Sequence, residues 1–190
     1  MDHRDSLYSM IKEGGMREVG YAEMVERKLE LCSTLASHAS AVLLDPVFGA
    51  AQCISHGVLP KDTGLLVSIE ASGYSGEKGY RSSELLDNWS VEKIKRMGAS
   101  AVKLLVYYRP DLKELASKQL ATVNRVAREC IKYDLPCLVE PRSYPIGSEI
   151  SNPPEFAQRQ EELVMETARD ITALPIDVLK AEFPGGLSPK

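Results

Sequence analysis

Short continuous runs of Val, Leu and Ile recur along this chain, and a stretch with helical spacing separates each from the next. The runs cover 41–45 (AVLLD), 64–70 (GLLVSIE), 101–107 (AVKLLVY), 136–140 (PCLVE) and 176–182 (IDVLKAE). None alternates cleanly between apolar and polar residues, as a sheet with one wet face would; continuous runs suit parallel strands covered on both faces. Helical spacing marks 21–38, where Met24, Leu29, Leu31 and Leu35 are apolar, then 91–97, 115–133 and 155–171. Ser90 is placed to cap the 91–97 helix and Gly98 to close it. Strand–helix–strand repetition of this kind builds a parallel sheet with right-handed crossovers. The expected class is therefore α/β, with 1–190 as one domain.

Two architectures satisfy that pattern, an open doubly wound sheet and a (β/α)8 TIM barrel. A dinucleotide-binding open sheet needs a glycine fingerprint directly after its first strand. Gly73, Gly76 and Gly79 instead follow a middle run and lack a Gly-Lys-Ser/Thr ending, so they read as a loop reaching toward Trp89.

Ionisable residues decide between the two. Asp45, Glu70 and Glu140 close three of the apolar runs, while Lys103 and Lys180 interrupt two others. A lone charge in a strand buried on both faces costs several kcal/mol unless it is paired or neutralised. A barrel accounts for the set, because the C-terminal ends of its strands converge on one wet pocket. The competing account is a group of buried ion pairs that fix strand register. Asp177 and Glu182 are weaker candidates, since alternation points them elsewhere. Two lysines side by side inside a barrel would have a depressed pKa, leaving a free amine as nucleophile with a carboxylate to carry protons. That equipment suits Schiff-base formation with a ketone and cleavage or formation of a carbon–carbon bond.

Other chemistries lack their residues. With 23 Lys and Arg against 27 Asp and Glu, the net charge of −4 gives no footprint for nucleic acid. No apolar run approaches the ~20 residues of a membrane helix, and Met1-Asp2-His3-Arg4 has no apolar stretch behind it to make a secretion signal. Cys32, Cys53, Cys130 and Cys137 show no CxxC spacing and read as reduced, buried thiols of a cytoplasmic protein. Cys53 and His56 are too few ligands for zinc. No Gly-x-Ser-x-Gly elbow is present.

The segments MDHRDSL, LLDPVFG, GLLVSIEASGY, NWSVEKIKRMGASAVKLLVYY, CLVEP and IDVLKAEFP resemble, in order, the class I tagatose-1,6-bisphosphate aldolases and the related sulfofructosephosphate aldolases. The resemblance implies a (β/α)8 barrel that performs reversible aldol cleavage without metal or cofactor. It implies Lys180 as the Schiff-base lysine, Glu140 as the proton shuttle, and Lys103 as the residue that holds Lys180 deprotonated and meets substrate oxygens. Asp2 and Arg4 match the family's first-strand D-x-R motif, with Arg4 the companion that meets a phosphate. Asp45, in L-L-D-P, is expected at the second-strand mouth, where it orients a lysine, binds substrate or holds the loop. His3 stands where the family commonly has glutamine. The implied substrate is a ketose 1,6-bisphosphate or a 6-sulfo-ketose 1-phosphate, and the products are dihydroxyacetone phosphate and a three-carbon aldehyde. The partner is thus a small sugar phosphate, and a homo-oligomer is compatible with the reading.

A (β/α)8 barrel takes ~250 residues, against 190 here. The expectation is accordingly a barrel cut at both ends, with the body of the first strand and strands seven and eight missing. A catalytically incomplete barrel that binds a sugar phosphate or a partner subunit without turnover is the alternative function.

Overall fold

A computed structural model describes residues 2–15, 18–76 and 79–184 of the chain. Met1, which opens the MDHRDSL segment above, lies outside the described residues. The strands are β1 (Ala41–Leu44), β2 (Gly64–Ser68), β3 (Ala101–Tyr107), β4 (Cys137–Arg142) and β5 (Val178–Leu179). The helices are α1 (Asp5–Glu13), α2 (Tyr21–Leu35), α3 (Ala50–Ser55), α4 (Val91–Arg96), α5 (Lys113–Lys132) and α6 (Pro153–Thr172).

The sheet order is β1-β2-β3-β4-β5, strictly sequential. A doubly wound sheet reverses its order at a switch point, whereas a barrel wall adds each strand beside the last. The observed order and the parallel pairings of β1 with β2, β2 with β3, and β4 with β5 are those of a barrel wall. The described residues supply five of its strands.

The chain packs as two compact units, Met1–Ser72 with Leu86–Lys103, and Gly73–Leu85 with Leu104–Lys190. The first holds β1, β2 and the start of β3, and buries Leu44, Val67, Ile69 and Val102 with Cys32 and Cys53. Ser90 Oγ accepts the Lys93 N–H at 3.1 Å to cap α4. Gly98, at φ 91°, follows the last turn and returns its N–H to the Lys95 carbonyl. In the second unit, α5 and α6 pack on β4. Val123, Val126, Val139, Leu163 and Ile171 form that core.

Three expectations need correction. β4 does alternate: Cys137, Val139 and Pro141 are buried, while Leu138, Glu140 and Arg142 turn to a wetter side. β5 is only two residues long, and just before it the Asp177 carboxylate accepts the Cys137 N–H at 2.8 Å. The glycine-rich loop folds back on itself as a small hairpin, with Ser75 and Ser82 exchanging backbone hydrogen bonds of 2.9 and 2.7 Å. Gly76 is required there, since a Cβ would meet the Tyr80 carbonyl oxygen at 2.5 Å.

Candidate active site

In the first unit, Lys103 occupies β3 and is only 1% exposed. Its Nζ lies 2.8 Å from Asp2 Oδ2 and 2.6 Å from Glu70 Oε1. Glu70 sits two residues beyond the end of β2, and its carbonyl accepts Arg4 Nη2 at 2.6 Å. The His3 carbonyl accepts Lys28 Nζ at 2.6 Å. Asp2, His3 and Arg4 are thus pinned by three separate segments, and the D-x-R segment is a strap across the end of β2, the first half of β3 and the flank of α2.

Lys28 also lies 2.9 Å from Asp45 Oδ2, an ion pair with both side chains buried. The other Asp45 oxygen accepts the Val47 and Phe48 N–H groups at 3.0 and 2.7 Å. Of the roles expected for Asp45, the geometry gives it the loop: a fully buried carboxylate committed to Lys28 and two backbone donors has no face for a substrate. Lys28 is a residue the sequence reading missed. The available signal was its place between Met24 and Cys32 at four-residue spacing, on the buried stripe of α2.

The expected depression of a barrel lysine's pKa does not hold for Lys103. Burial alone would lower it, but the charges of Glu70 and Asp2 and their hydrogen bonds win and raise it to about 12. For Asp2, burial pushes upward, and the Lys103 charge and hydrogen bond outweigh it and hold the carboxyl below its ordinary value. Lys103 is a fixed cation and not a nucleophile.

In the second unit, Lys180 follows β5 directly and Glu140 lies within β4. Lys180 Nζ is 2.8 Å from Glu140 Oε1, with side-chain exposures of 56% and 12%. The Lys180 N–H donates to the Val139 carbonyl at 2.9 Å, which fixes the lysine beside the glutamate. Glu182 has a stronger position than its sequence context suggested. Its Oε2 accepts the Ser143 N–H at 2.7 Å and Ser143 Oγ at 2.5 Å, and Arg142 Nε lies 3.3 Å from Oε1. The end of β4 is thereby tied to the residues beyond β5.

Arg109, fully buried, was also missed. It bonds both Asp111 oxygens and Glu149 at 2.6–3.2 Å and the Tyr144 carbonyl at 2.7 Å. Arg159 joins Glu149 and Asp111 from α6. Arg109 and Arg159, by hydrogen bond and charge, hold the Asp111 carboxyl at about 2. This network braces the segments after β3 and β4.

Cys53 and His56 are spent locally: the buried thiol points at the Lys28 carbonyl at 3.9 Å, and His56 Nδ1 is 2.9 Å from the Gln52 carbonyl. Burial and the neighbouring Cys32 push the Cys53 thiol up to about 12. All four cysteines are free and buried. A surface groove of about 500 Å³ beside α4, lined by Trp89, Lys93 and Arg96, contains none of the expected site residues. No helix among the described residues is long and apolar enough to cross a membrane.

A sequential parallel sheet, with Lys103 paired to Asp2 and Glu70 in the first unit and Lys180 paired to Glu140 in the second, is the wall of a partial (β/α)8 barrel. Comparison with known proteins is consistent with that geometry. The model of the DeoC/LacD family aldolases matches residues 1–188. A tagatose 1,6-diphosphate aldolase from Lactococcus lactis subsp. lactis is 33% identical over 186 residues, covering 96% of this chain and 56% of that protein. Tagatose 1,6-diphosphate aldolase 1 from Enterococcus faecalis is 32% identical over 187 residues, covering 97% of this chain and 56% of that protein. Among solved structures, an archaeal fructose 1,6-bisphosphate aldolase superposes with a TM-score of 0.56 at 23% identity, over 84% of this chain and 55% of its own. A Schiff-base-forming fructose-1,6-bisphosphate aldolase superposes at 0.54 with 22% identity, over 83% of this chain and 54% of its own. The chain belongs to the DeoC/LacD aldolase family. It spans about half the length of the curated relatives it matches.

Proposed function

We propose that this chain acts as a class I, Schiff-base aldolase on a ketose 1,6-bisphosphate or a 6-sulfo-ketose 1-phosphate. The observation that carries the reading is the Lys180–Glu140 pair, with nitrogen and carboxylate oxygen 2.8 Å apart just past one strand and within its neighbour. The proton of the Lys180 ammonium passes to Glu140, and the freed amine adds to the ketose C2 carbonyl. The Glu140 carboxyl then protonates the departing hydroxyl, water leaves, and an iminium remains. Glu140, again a carboxylate, takes the C4 hydroxyl proton as the C3–C4 bond breaks. The bond's electron pair flows into the iminium to form an enamine, and the three-carbon aldehyde departs. Protonation of the enamine at C3 and addition of water then release dihydroxyacetone phosphate and restore Lys180.

The remaining assignments follow the charges. Lys103, kept cationic by Asp2 and Glu70 and buried beneath them, acts through its fixed positive charge and not by touching substrate. Asp2 and Arg4 supply the substrate-facing groups of the strap. Asp45 acts at one remove, by holding the turn after β1. The family membership and the aldolase activity named for the relatives support this reading.

Borohydride reduction in the presence of dihydroxyacetone phosphate tests it. The expected product is a covalent adduct on Lys180, found by peptide mass mapping and absent from Lys180→Met. A folded sample without adduct removes the mechanism and leaves sugar phosphate binding without turnover.

A further inference from the structure

One guanidinium in the second unit has no assignment in the chemistry above. Arg81 lies on the hairpin at 73–85, and its guanidinium carbon sits 4.5, 5.1 and 5.4 Å from the ring centroids of Tyr74, Tyr107 and Tyr144. The rings meet one another edge-on, Tyr74 with Tyr107 at 5.2 Å and Tyr107 with Tyr144 at 6.1 Å. The arrangement is a cage around a cation. Yet the guanidinium donates no hydrogen bond to any described residue, in contrast to Arg109, which is bonded on all sides. The hairpin's own carboxylate, Glu84, is taken by Ser75.

The cage is also held in place. Ser83 Oγ accepts the Tyr107 N–H at 2.8 Å, and Gln119 on α5 donates to Ser82 Oγ at 3.0 Å. The Arg81 carbonyl accepts the Tyr144 hydroxyl at 3.4 Å. Position follows from the strands. Tyr107 is the last residue of β3, and Tyr144 lies two beyond β4. The Tyr108 N–H donates to the Arg142 carbonyl, which sets Tyr107 beside Arg142 on the side of β4 that carries Glu140. Arg81 is therefore fixed at the C-terminal strand ends, on the face of Glu140 and its partner Lys180.

We propose that Arg81 binds the tetrahedral oxyanion at one end of the substrate, a phosphate monoester or a sulfonate, in a subsite walled by Tyr74, Tyr107 and Tyr144. The aromatic rings flank the guanidinium and hold it in place, and its N–H fork matches two oxygens of such a group. The identity of the ligand as a sugar substrate rests on the aldolase reading; the binding of an oxyanion does not.

The test uses the full chain labelled with ¹⁵N. The Arg81 side-chain Nε–H resonance is identified by its loss in Arg81→Gln, and methyl phosphate and methanesulfonate are titrated separately at pH 7.5. A saturable shift of that resonance with methyl phosphate assigns the subsite to phosphate, and a shift with methanesulfonate alone assigns it to sulfonate. Followed in the variants through the backbone amides of Ser82 and Tyr107, Arg81→Gln should weaken binding about 10- to 100-fold, the loss of one charge-assisted fork, while Arg81→Lys keeps an intermediate affinity because it retains the charge. An unmoved resonance with both anions, or unchanged affinity in Arg81→Gln, overturns the proposal. In the unsubstituted chain, a missing borohydride adduct with a persistent Arg81 shift sinks the aldolase reading alone.

Discussion

Replacing Lys103 by Met keeps the buried stem and removes only the charge, which isolates the ion triad from packing. The two carboxylates left behind both lie within 2.8 Å of the lost nitrogen, so their oxygens are no more than about 5.5 Å apart. At an effective dielectric of about 20, two unit charges at that distance repel by roughly 3 kcal/mol. Removing one side of a buried ion pair costs about 3–5 kcal/mol in general, and with Glu70 only 7% exposed the lower bound should hold here. The same repulsion favours taking up a proton between the two carboxyls in the variant, so the deficit against the parent should shrink as the pH falls. Urea unfolding followed by far-ultraviolet circular dichroism at pH 7.5 and 4.5 measures both quantities. A deficit under about 1 kcal/mol at pH 7.5 refutes the reasoning, and so does one that does not change with pH. Lys103→Met/Glu70→Gln should recover part of the loss, since a single carboxylate remains.

Glu182→Gln should lower stability by about 1–2 kcal/mol through weakened bonds to Ser143 and Arg142, and on the aldolase reading proposed above kcat should fall more than KM changes, because Glu182 ties the end of β4 to the residues that follow Lys180. Urea midpoints and steady-state cleavage assays check the two effects together. Acid stability depends on Asp2, Asp111 and Glu149, whose folded pKa values lie below the ordinary 3.8 for Asp and 4.5 for Glu. A depressed carboxyl contributes stability above its unfolded pKa and loses it as pH falls through the folded value. Asp111 should therefore give up its share between pH 3.8 and about 2, and Asp111→Asn should flatten that part of a urea-midpoint profile.

How far the sequence is legible depends on whether a residue's partner is near it in the chain. β3 was read with its exact bounds because AVKLLVY is apolar across both faces apart from one lysine. The α4 cap was read because Ser90 and Lys93 are three residues apart. The Lys103 partners were harder: Glu70 is 33 residues away and Asp2 is 101, so a charge inside a strand was visible but its neutralisation was not. That is why a depressed pKa was expected where a raised one is found. Arg109 and Glu149, 40 residues apart, escaped for the same reason. Arg81 escaped for a different one. Its hairpin has the glycine and serine content of a loop, and nothing local shows that three tyrosines from separate segments close around it. α1 and α3, of nine and six residues, are too short to impose a clear period.

The bland account of the strand charges, paired ions that fix register, and the catalytic one turn out not to compete residue by residue. Both lysines are paired, and what differs is the surroundings. Lys103 faces two carboxylates in a site closed to water, and such a cation cannot give up its proton without leaving two anions unbalanced. Lys180 pairs with Glu140 and is more than half exposed, so the neutral pair formed by moving one proton across 2.8 Å is uncharged and a ketone can reach the nitrogen. One residue type on two neighbouring runs thus meets two surroundings, which differ in how many carboxylates it faces and how much water it sees, and only those of Lys180 suit the nucleophile of the proposed reaction. Converting Lys103 to the second kind would require removing Asp2 or Glu70 and opening the strap that covers it.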